Sequence, residues 1–257
     1  MTTAAMTFGK GSGMNAIECK GLRKEYPGKV AVKGLNLAVK EGEFFSLLGV
    51  NGAGKTTAIR MMTCLTRPSA GDAALMGHSV VHDAAGVREV TGLSPQETAV
   101  AGNLTVRENL ALMAELYGAP RALAAEKTEK MLSATGLDEV ANRRAKVLSG
   151  GWQRRLSVAM ALISEPEVLF LDEPTLGLDI LARRELWKLI RSLRGKITLV
   201  LTTHYLEEAE ALSDRIGIMK NGELIAAGTV AELNALAGAD RFEETFVRLC
   251  TGEGEMA

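Results

Sequence analysis

The stretch GVNGAGKTT, Gly49 to Thr57, decides the fold class of this 257-residue chain. It matches the pattern G-x-x-x-x-G-K-[ST], in which glycines let the backbone wrap around phosphates with its N–H groups pointing inward. In this pattern Lys55 reaches the β- and γ-phosphates of a nucleotide, and the hydroxyl of Thr56 holds Mg²⁺. The other loop residues predicted to line the phosphates are Asn51, Gly52, Ala53, Gly54 and Thr57.

The residues around the loop give it the context that the pattern requires. The apolar run FFSLLGV precedes it, and a helical pattern follows over Thr56–Thr66, ending before Pro68. Two more apolar runs, in EVLFLDEP and KITLVLTTH, are typical of strands buried on both faces of a parallel sheet, with a crossover helix over Ile180–Leu193 between them. Polar residues follow each of the three runs, and open α/β sheets bind ligands at the carboxyl ends of their strands. The sequence therefore predicts an α/β fold, a P-loop NTPase core with a mixed, mainly parallel sheet.

An acidic pair follows the second apolar run. An acid at the end of a buried strand is costly unless it meets a cation, so Asp172 is predicted to bind Mg²⁺, directly or through water. Glu173, one residue further, is placed to orient or deprotonate an attacking water. The pair supplies the second half of a nucleotide-hydrolysing site.

The rest of the chain divides into segments that differ in residue composition and predicted secondary structure. Short strands and turns between Ile17 and Val50 predict an antiparallel β subdomain. Residues of about 97–162 are rich in Ala, Leu, Glu, Lys and Arg at helical spacing, which predicts a helical subdomain inserted into the core. We expect a flexible tail over 1–13, one ATPase domain over 14–230 and a helical tail over 231–257.

A second anion-binding pattern occurs in LSGGWQRRL, residues 148–156. Ser149, Gly150 and Gly151 lie just before a predicted helix start, an arrangement that gathers backbone N–H groups around an anion. One chain with one phosphate loop has no evident need for this second cradle.

Composition excludes several classes of protein. The net charge is −1, from 30 Lys and Arg against 31 Asp and Glu, so no basic excess indicates binding to nucleic acid or to a membrane surface. The 3 cysteines show no CxxC spacing and predict neither a disulfide framework nor a metal site. The apolar runs are far shorter than the roughly 20 residues of a membrane-spanning helix, and the amino terminus lacks the apolar core of a signal peptide.

With these motifs in order, the chain resembles the ATP-binding subunits of ABC transporters from about Ile17 to Gly228. GVNGAGKTT is similar to the Walker A motif of that family, VLFLDE to Walker B and LSGGWQRRL to the signature motif. The resemblance also assigns four weaker positions: Tyr26 for adenine stacking, Gln96 in the Q-loop as a catalytic residue and Mg²⁺ sensor, Asp179 in the D-loop, and His204 as the switch histidine.

The resemblance implies a reason for the two cradles. In the family, the signature serine and glycines close over the γ-phosphate held by Walker A of a second subunit. Two ATP molecules are then enclosed between two head-to-tail subunits, and hydrolysis at Glu173 and His204 lets the dimer open. ATP and Mg²⁺ are the implied cofactors, and the second ATPase subunit is the same chain or a closely related one.

The resemblance also implies a membrane partner. The family docks a transmembrane permease on its helical subdomain, which implies a location at the cytoplasmic face of the membrane. TLGLD, with Gly177, and the carboxyl-terminal sequence resemble a branch in which a soluble ATPase pairs with a separate permease, including exporters of drugs, antibiotics and lipids. Trp152 departs from the more common Gln or Met after the two glycines.

Two alternatives remain at this point. The chain could be a soluble ABC-type ATPase that scaffolds a process other than transport, although it lacks the second ATPase half or the long coiled coil of such members. An unrelated phosphate-loop kinase or GTPase would have no use for LSGG ahead of Walker B.

Overall fold

A computed structural model describes residues 15–251. These residues form ten strands and nine α-helices, with two short 3-10 helices between α4 and α5. The predicted tail over 1–13 and the last residues of the chain lie outside the described part. The strands are β1 (Asn15–Tyr26), β2 (Lys29–Lys40), β3 (Phe44–Leu48), β4 (Ala70–Leu75), β5 (His78–Ser79), β6 (Thr91–Ser94), β7 (Val168–Asp172), β8 (Thr198–Thr203), β9 (Arg215–Lys220) and β10 (Glu223–Gly228). The helices are α1 (Lys55–Met62), α2 (Ala84–Val90), α3 (Val106–Leu116), α4 (Arg121–Thr135), α5 (Gly150–Leu162), α6 (Ile180–Ser192), α7 (Leu206–Leu212), α8 (Val230–Ala237) and α9 (Phe242–Thr251).

The strands form two sheets. An antiparallel sheet has the order β2-β1-β4-β5, and a six-stranded sheet has the order β10-β9-β3-β8-β7-β6. In the larger sheet β9, β3, β8, β7 and β6 run parallel, and β10 pairs antiparallel with β9. The predicted α/β fold with a mixed, mainly parallel sheet and an antiparallel sheet is confirmed.

The larger sheet is covered on both faces, which explains why its strands read as continuous apolar runs. In β7, Val168 and Phe170 pack in the core that holds α1 and the antiparallel sheet. Leu169 and Leu171 point to the other face, where they pack with α5 and α6. This alternation is the two-residue period of a strand.

Two helical clusters lie beside the sheets. Helices α3, α4 and α5 share the apolar cluster that contains Val106, Leu132 and Leu156. Three helices thus occur within the segment predicted as a helical subdomain, and its limits at 97–162 stay a prediction. Helices α7, α8 and α9 pack with β9 in a separate cluster around Phe242.

The helix after the phosphate loop is shorter than predicted. The sequence indicates Thr56–Thr66, whereas α1 ends at Met62 and Thr63 caps it. The Thr63 hydroxyl bonds to the Ile59 carbonyl oxygen, and Cys64 then takes a φ of +56°, which turns the chain out of the helix. The strands β1 and β2, at 12 residues each, are longer than the short strands expected there.

Candidate active site

The phosphate loop connects β3 to α1 at the carboxyl edge of the parallel sheet. Gly54, the residue before α1, has a φ of +107°, and a Cβ there would lie 2.6 Å from the carbonyl oxygen of Ala31. Only glycine fits this combination of backbone angle and close approach. The loop and the amino end of α1 therefore present backbone N–H groups to an anion, as the motif predicts.

Lys55 lies at the base of the loop and is only 4% exposed. Its Nζ donates to the Gly49 carbonyl oxygen at 2.7 Å and to that of Val50 at 3.3 Å, and lies 3.5 Å from Glu173 Oε1. Burial lowers the pKa of the ammonium group, and the charge of Glu173 opposes that effect. An arriving phosphate would offer this buried cation a stronger partner than the loop carbonyls.

The donors predicted for Mg²⁺ lie together. Thr56 Oγ1 donates to Asp172 Oδ1 at 3.1 Å, and the hydroxyl of Thr202 donates to the same oxygen. Burial raises the pKa of Asp172, and the two hydroxyl bonds oppose the rise. A hydroxyl and a carboxylate suit Mg²⁺, which commonly takes its other ligands from water and substrate phosphates. Residues 15–251 contain no cluster of three or more His, Cys, Asp or Glu side chains that would form a metal site on its own.

Glu173 is held in an unusual conformation beside this pair. Its φ is +47°, and its backbone N–H donates to both the carbonyl and the hydroxyl oxygen of Thr202. His204 Nδ1 lies 3.2 Å from Glu173 Oε2, but without hydrogen-bond alignment, and this buried nitrogen has no hydrogen-bond partner among residues 15–251. The two predicted catalytic side chains thus face each other from the ends of neighbouring strands.

These groups line one cavity of about 360 Å³. Its wall is made of Lys29, Ala31, Asn51, Gly52, Ala53, Gly54, Lys55, Thr56, Thr57, Gln96, Glu173, Leu176 and His204. All predicted phosphate-loop residues, Gln96, Glu173 and His204 are in that wall, and Asp172 reaches it through Thr56. Ser149, Gly150 and Gly151 are not in it.

The backbone of Gln96 is hydrogen-bonded to α5, the helix that begins at the signature residues. The guanidinium of Arg154, buried in α5, donates to the carbonyl oxygens of Pro95 at 2.7 Å and Gln96 at 2.6 Å. Arg154 therefore connects the backbone at Gln96 to α5. Arg154 has no role in the sequence prediction, although it lies inside the quoted signature stretch.

Tyr26, the residue predicted to stack on adenine, also lies outside the cavity wall. It ends β1, is exposed, and has Lys24 Nζ 5.1 Å from its ring centroid. Lys29 and Ala31, just beyond it in the chain, do line the cavity. Its role in adenine stacking stays a prediction.

The signature residues form an exposed helix start. Ser149 is the N-cap of α5, its side chain makes no capping bond, and both it and Gly150 are exposed. A Cβ on Gly151 would lie 2.9 Å from the Cβ of Ala182, so a glycine lets α5 approach the start of α6. Since the Ser149 hydroxyl makes no capping bond within residues 15–251, this helix start is suited to an anion that approaches from outside the chain.

Two other residues of the sequence motifs, Asp179 and Trp152, make contacts within their own chain. Asp179, the predicted D-loop residue, caps α6 by accepting the N–H of Ala182 at 2.9 Å. Trp152 is half-buried against the cluster of α3, α4 and α5, with the guanidinium of Arg155 5.0 Å from its ring centroid.

Residues that sequence reasoning missed support the site from behind. Thr202 contacts both Asp172 and Glu173, and Glu208 bonds to Thr175 close to Glu173. A polar pair ending a buried run, as in LVLTTH, was the available signal for Thr202. Nothing local marks Glu208 among the several acids of α7.

Comparison with known proteins decides the family. Residues 32–176 match the family described as ABC transporter. The chain belongs to the ABC transporter family. A daunorubicin resistance ATP-binding protein, DrrA3 of Streptomyces coeruleorubidus, is 46% identical over 231 residues, which cover 89% of this chain and 72% of that protein. The Nod factor export ATP-binding protein I of Ralstonia nicotianae is 42% identical over 228 residues, covering 88% of this chain and 71% of that protein.

A solved structure agrees with this assignment. The dimeric ATP-binding cassette MJ0796 in a post-hydrolysis state, bound to ADP and phosphate, has a TM-score of 0.75 and 28% identity, and the match covers 83% of this chain and 98% of that one. This ABC ATPase therefore binds ATP with Mg²⁺ and hydrolyses it. Within residues 15–251 no helix has the length and apolar character needed to cross a bilayer.

Proposed function

We propose that this ABC ATPase powers an exporter through a head-to-tail dimer that closes on ATP and opens after hydrolysis. One observation carries the proposal: the cavity that holds the phosphate loop, Glu173 and His204 lacks the signature residues. Ser149 and Gly150 are exposed at a helix start that lies outside the wall of their own chain's cavity. A second subunit in head-to-tail orientation brings one chain's signature to the other chain's phosphate loop.

The surface around the signature supports such a contact. Ile180 and Leu181, at the start of α6, are 68% and 75% exposed, and Leu176 is exposed nearby. Gly150 lies next to the side chain of Leu178. Exposed aliphatic side chains beside free helix N–H groups form a face that gains from being covered by protein.

The chemistry follows from the placement of charge. Lys55 and the loop N–H groups hold the β- and γ-phosphates, and bound Mg²⁺, held by Thr56 and Asp172, supplies further positive charge. Glu173 takes a proton from the attacking water, and His204 keeps that carboxylate and the γ-phosphate in line. Charge-assisted bonds from the partner's signature are worth roughly 1.5–3 kcal/mol each, so loss of the γ-phosphate releases the partner.

A mixed-dimer assay tests the shared site. Ser149→Arg blocks the signature, and Lys55→Ala disables the phosphate loop, so each homodimer has no intact site. A heterodimer combines the sound phosphate loop of one chain with the sound signature of the other and regains one site. Mixing the two at equal amounts should restore about a quarter of wild-type ATPase activity, since half the dimers have one of two sites.

The result that contradicts the shared site is also clear. If the mixture has only the summed activity of the two inactive parents, with co-purification of differently tagged chains showing that mixed dimers form, each site belongs to a single chain. Arg60→Ala on α1, at an exposed position outside the cavity wall, is a matched control that should leave the assay unchanged.

Export requires a membrane partner, which we propose is a separate transmembrane permease docked on the helices over 97–162 at the cytoplasmic face of the membrane. The names of the two relatives, one a drug resistance protein and one an export protein, support this direction. Inside-out vesicles that contain the chain and the membrane protein encoded beside it should accumulate substrate on ATP addition, and Glu173→Gln should abolish accumulation. ATP-driven loss of substrate from the same vesicles would contradict export.

A further inference from the structure

A fully buried carboxylate lies behind the candidate active site. Glu208, in α7, has 0% exposure. It forms no ion pair with a lysine, arginine or histidine in the described part of the chain. Burying a carboxylate without a neighbouring cation lowers the stability of the fold unless the carboxylate accepts hydrogen bonds that compensate for the loss of water.

One oxygen of Glu208 makes all of its bonds. Oε1 accepts the Thr175 hydroxyl at 2.9 Å and the indole N–H of Trp187 at 2.9 Å, while Oε2 is buried with no hydrogen-bond partner in the described part of the chain. Thr175 lies in the segment between β7 and α6, and Trp187 lies in α6 itself. Three separate parts of the chain therefore meet at one oxygen.

This junction lies next to both predicted catalytic side chains. Thr175 is two residues beyond Glu173, and α7 begins two residues beyond His204. The pairing of β7 with β8 ends at Asp172 and Thr202, and the backbone N–H of Glu173 makes the last link to β8. Beyond the ends of β7 and β8, the bond from Thr175 to Glu208 joins the segment that follows Glu173 to α7, which follows His204.

We propose that Glu208 is a positioning residue for ATP hydrolysis. Through Thr175 and α7 it fixes the loop that carries Glu173 against the loop that carries His204. The inference rests on the proposed roles of those two residues. Glu208 does not line the cavity, so it acts on the reacting groups only through its neighbours. An apolar residue of similar size would fill the space but leave two buried donors unpaired.

Steady-state kinetics on the full chain test the proposal. Glu208→Ala should lower kcat by about tenfold or more, because small displacements of catalytic groups cost large factors in rate. KM for ATP should stay within about twofold, since an interaction that serves only the reacting geometry lowers kcat alone. Glu208→Gln keeps a carbonyl oxygen for both donors and should recover most of kcat.

A second pair of variants covers the case in which Glu208→Ala fails to fold. Thr175→Val keeps the shape of the side chain and removes the hydroxyl, whereas Thr175→Ser keeps the hydroxyl. Thr175→Val should lower kcat by about threefold to tenfold, and Thr175→Ser by less than twofold. Trp187→Phe removes the other donor and should combine with Thr175→Val non-additively, because both act through one oxygen.

Three results would overturn the inference. They are a folded Glu208→Ala chain with wild-type kcat, equal kcat for Thr175→Val and Thr175→Ser, and a Glu208→Gln chain as slow as Glu208→Ala. Thermal melts well above the assay temperature exclude loss of active protein as the cause of a lower kcat. Glu173→Gln, assayed in parallel, separates the two levels: if it hydrolyses ATP normally, the proposed function fails, and if it is inactive while Glu208→Ala is normal, only the inference fails.

Discussion

Glu173 has a backbone conformation that lowers the stability of the fold, and it is also the predicted base for ATP hydrolysis. A non-glycine residue at a φ of +47° costs on the order of 1–3 kcal/mol, and glycine would avoid that cost. The two bonds from its N–H to Thr202 hold this conformation. A strained residue retained at the end of a strand, with its carboxylate facing Lys55 and His204, is consistent with selection for hydrolysis over stability.

Asp172 also lowers the stability of the fold at a position that is predicted to serve the reaction. The variant Asp172→Asn tests this. Burial raises the pKa of this carboxyl in the folded, nucleotide-free chain, so its ionised form is penalised at neutral pH. The Asn variant keeps an oxygen for Thr56 and Thr202 and has no charge to bury. Its melting temperature without nucleotide should exceed that of the wild type, while its Mg²⁺-dependent ATPase activity falls by about a hundredfold or more.

The pH dependence of that gain has a definite sign. When an acid has a higher pKa in the folded than in the unfolded state, ionisation lowers the free energy of unfolding. For Asp172 this loss of stability is absent below the unfolded-state pKa, near 3.8, and complete above the folded-state pKa. The stability advantage of Asp172→Asn should therefore shrink as pH falls toward 3.8. Paired melts across an acidic pH series check this, and an advantage that grows in acid would contradict it.

Tyr26 gives a prediction about nucleotide affinity. If its exposed ring stacks on adenine, Tyr26→Ala should raise KM for ATP by about tenfold with little change in kcat, since base stacking is worth about 1–3 kcal/mol. Tyr26→Phe keeps the ring and should behave as wild type. A Phe variant as weak as the Ala variant, or two variants with normal KM, would remove Tyr26 from the site.

At this scale the short motifs indicated residues that lie together in the structure, and their roles in the site stay a prediction. Lys55, Thr56, Asp172 and Glu173 meet in the structure because the phosphate loop follows β3, the acidic pair lies at the end of β7, and both strands end at the same edge of the sheet. Glu208 could not be found in this way. Its partners lie 33 and 21 residues away, and only folding brings them together.

Among the elements, the contact between α5 and α6 depends on a glycine. Gly151 leaves no room for a methyl group beside Ala182, so Gly151→Ala forces the two helices to shift. Overpacking of this kind costs about 1–3 kcal/mol in unfolding free energy. The cost should be smaller in an Ala182→Gly background, which removes the opposing methyl.

A double-mutant cycle measured by urea unfolding of the nucleotide-free chain checks that coupling. Strict additivity of the two substitutions would show that the helices do not meet at this point. Since the assay contains no ATP, it separates packing of Gly151 from any contact with a partner's nucleotide.

Element boundaries were predicted less well than element types. Helical periodicity continues past Met62, yet the Thr63 side-chain bond and the left-handed Cys64 end α1 there. Periodicity reports which face is apolar and carries no information on such a turn. The crossover helix was predicted closely, because Asp179 provides a side-chain cap at the start of α6.

For the whole molecule, the order of strands was less accessible from sequence than their existence. Parallel pairing of β3, β8 and β7 follows from three buried runs with helices between them, whereas the antiparallel sheet places β4 beside β1 across a long separation. The described chain has one phosphate cavity and, outside its wall, one exposed signature helix start. That separation is the physical basis for a site shared between chains.

The mass of the ATP-loaded Glu173→Gln chain tests that claim most directly. Without its base the variant should bind ATP and Mg²⁺ but hardly hydrolyse, so the γ-phosphate remains for the partner's signature to grip. Light scattering should then give twice the 27.4 kDa of one chain with ATP and one chain with ADP, and adding Ser149→Arg to the same chain should abolish the dimer. An ATP-saturated Glu173→Gln chain that stays at the single-chain mass would contradict the account.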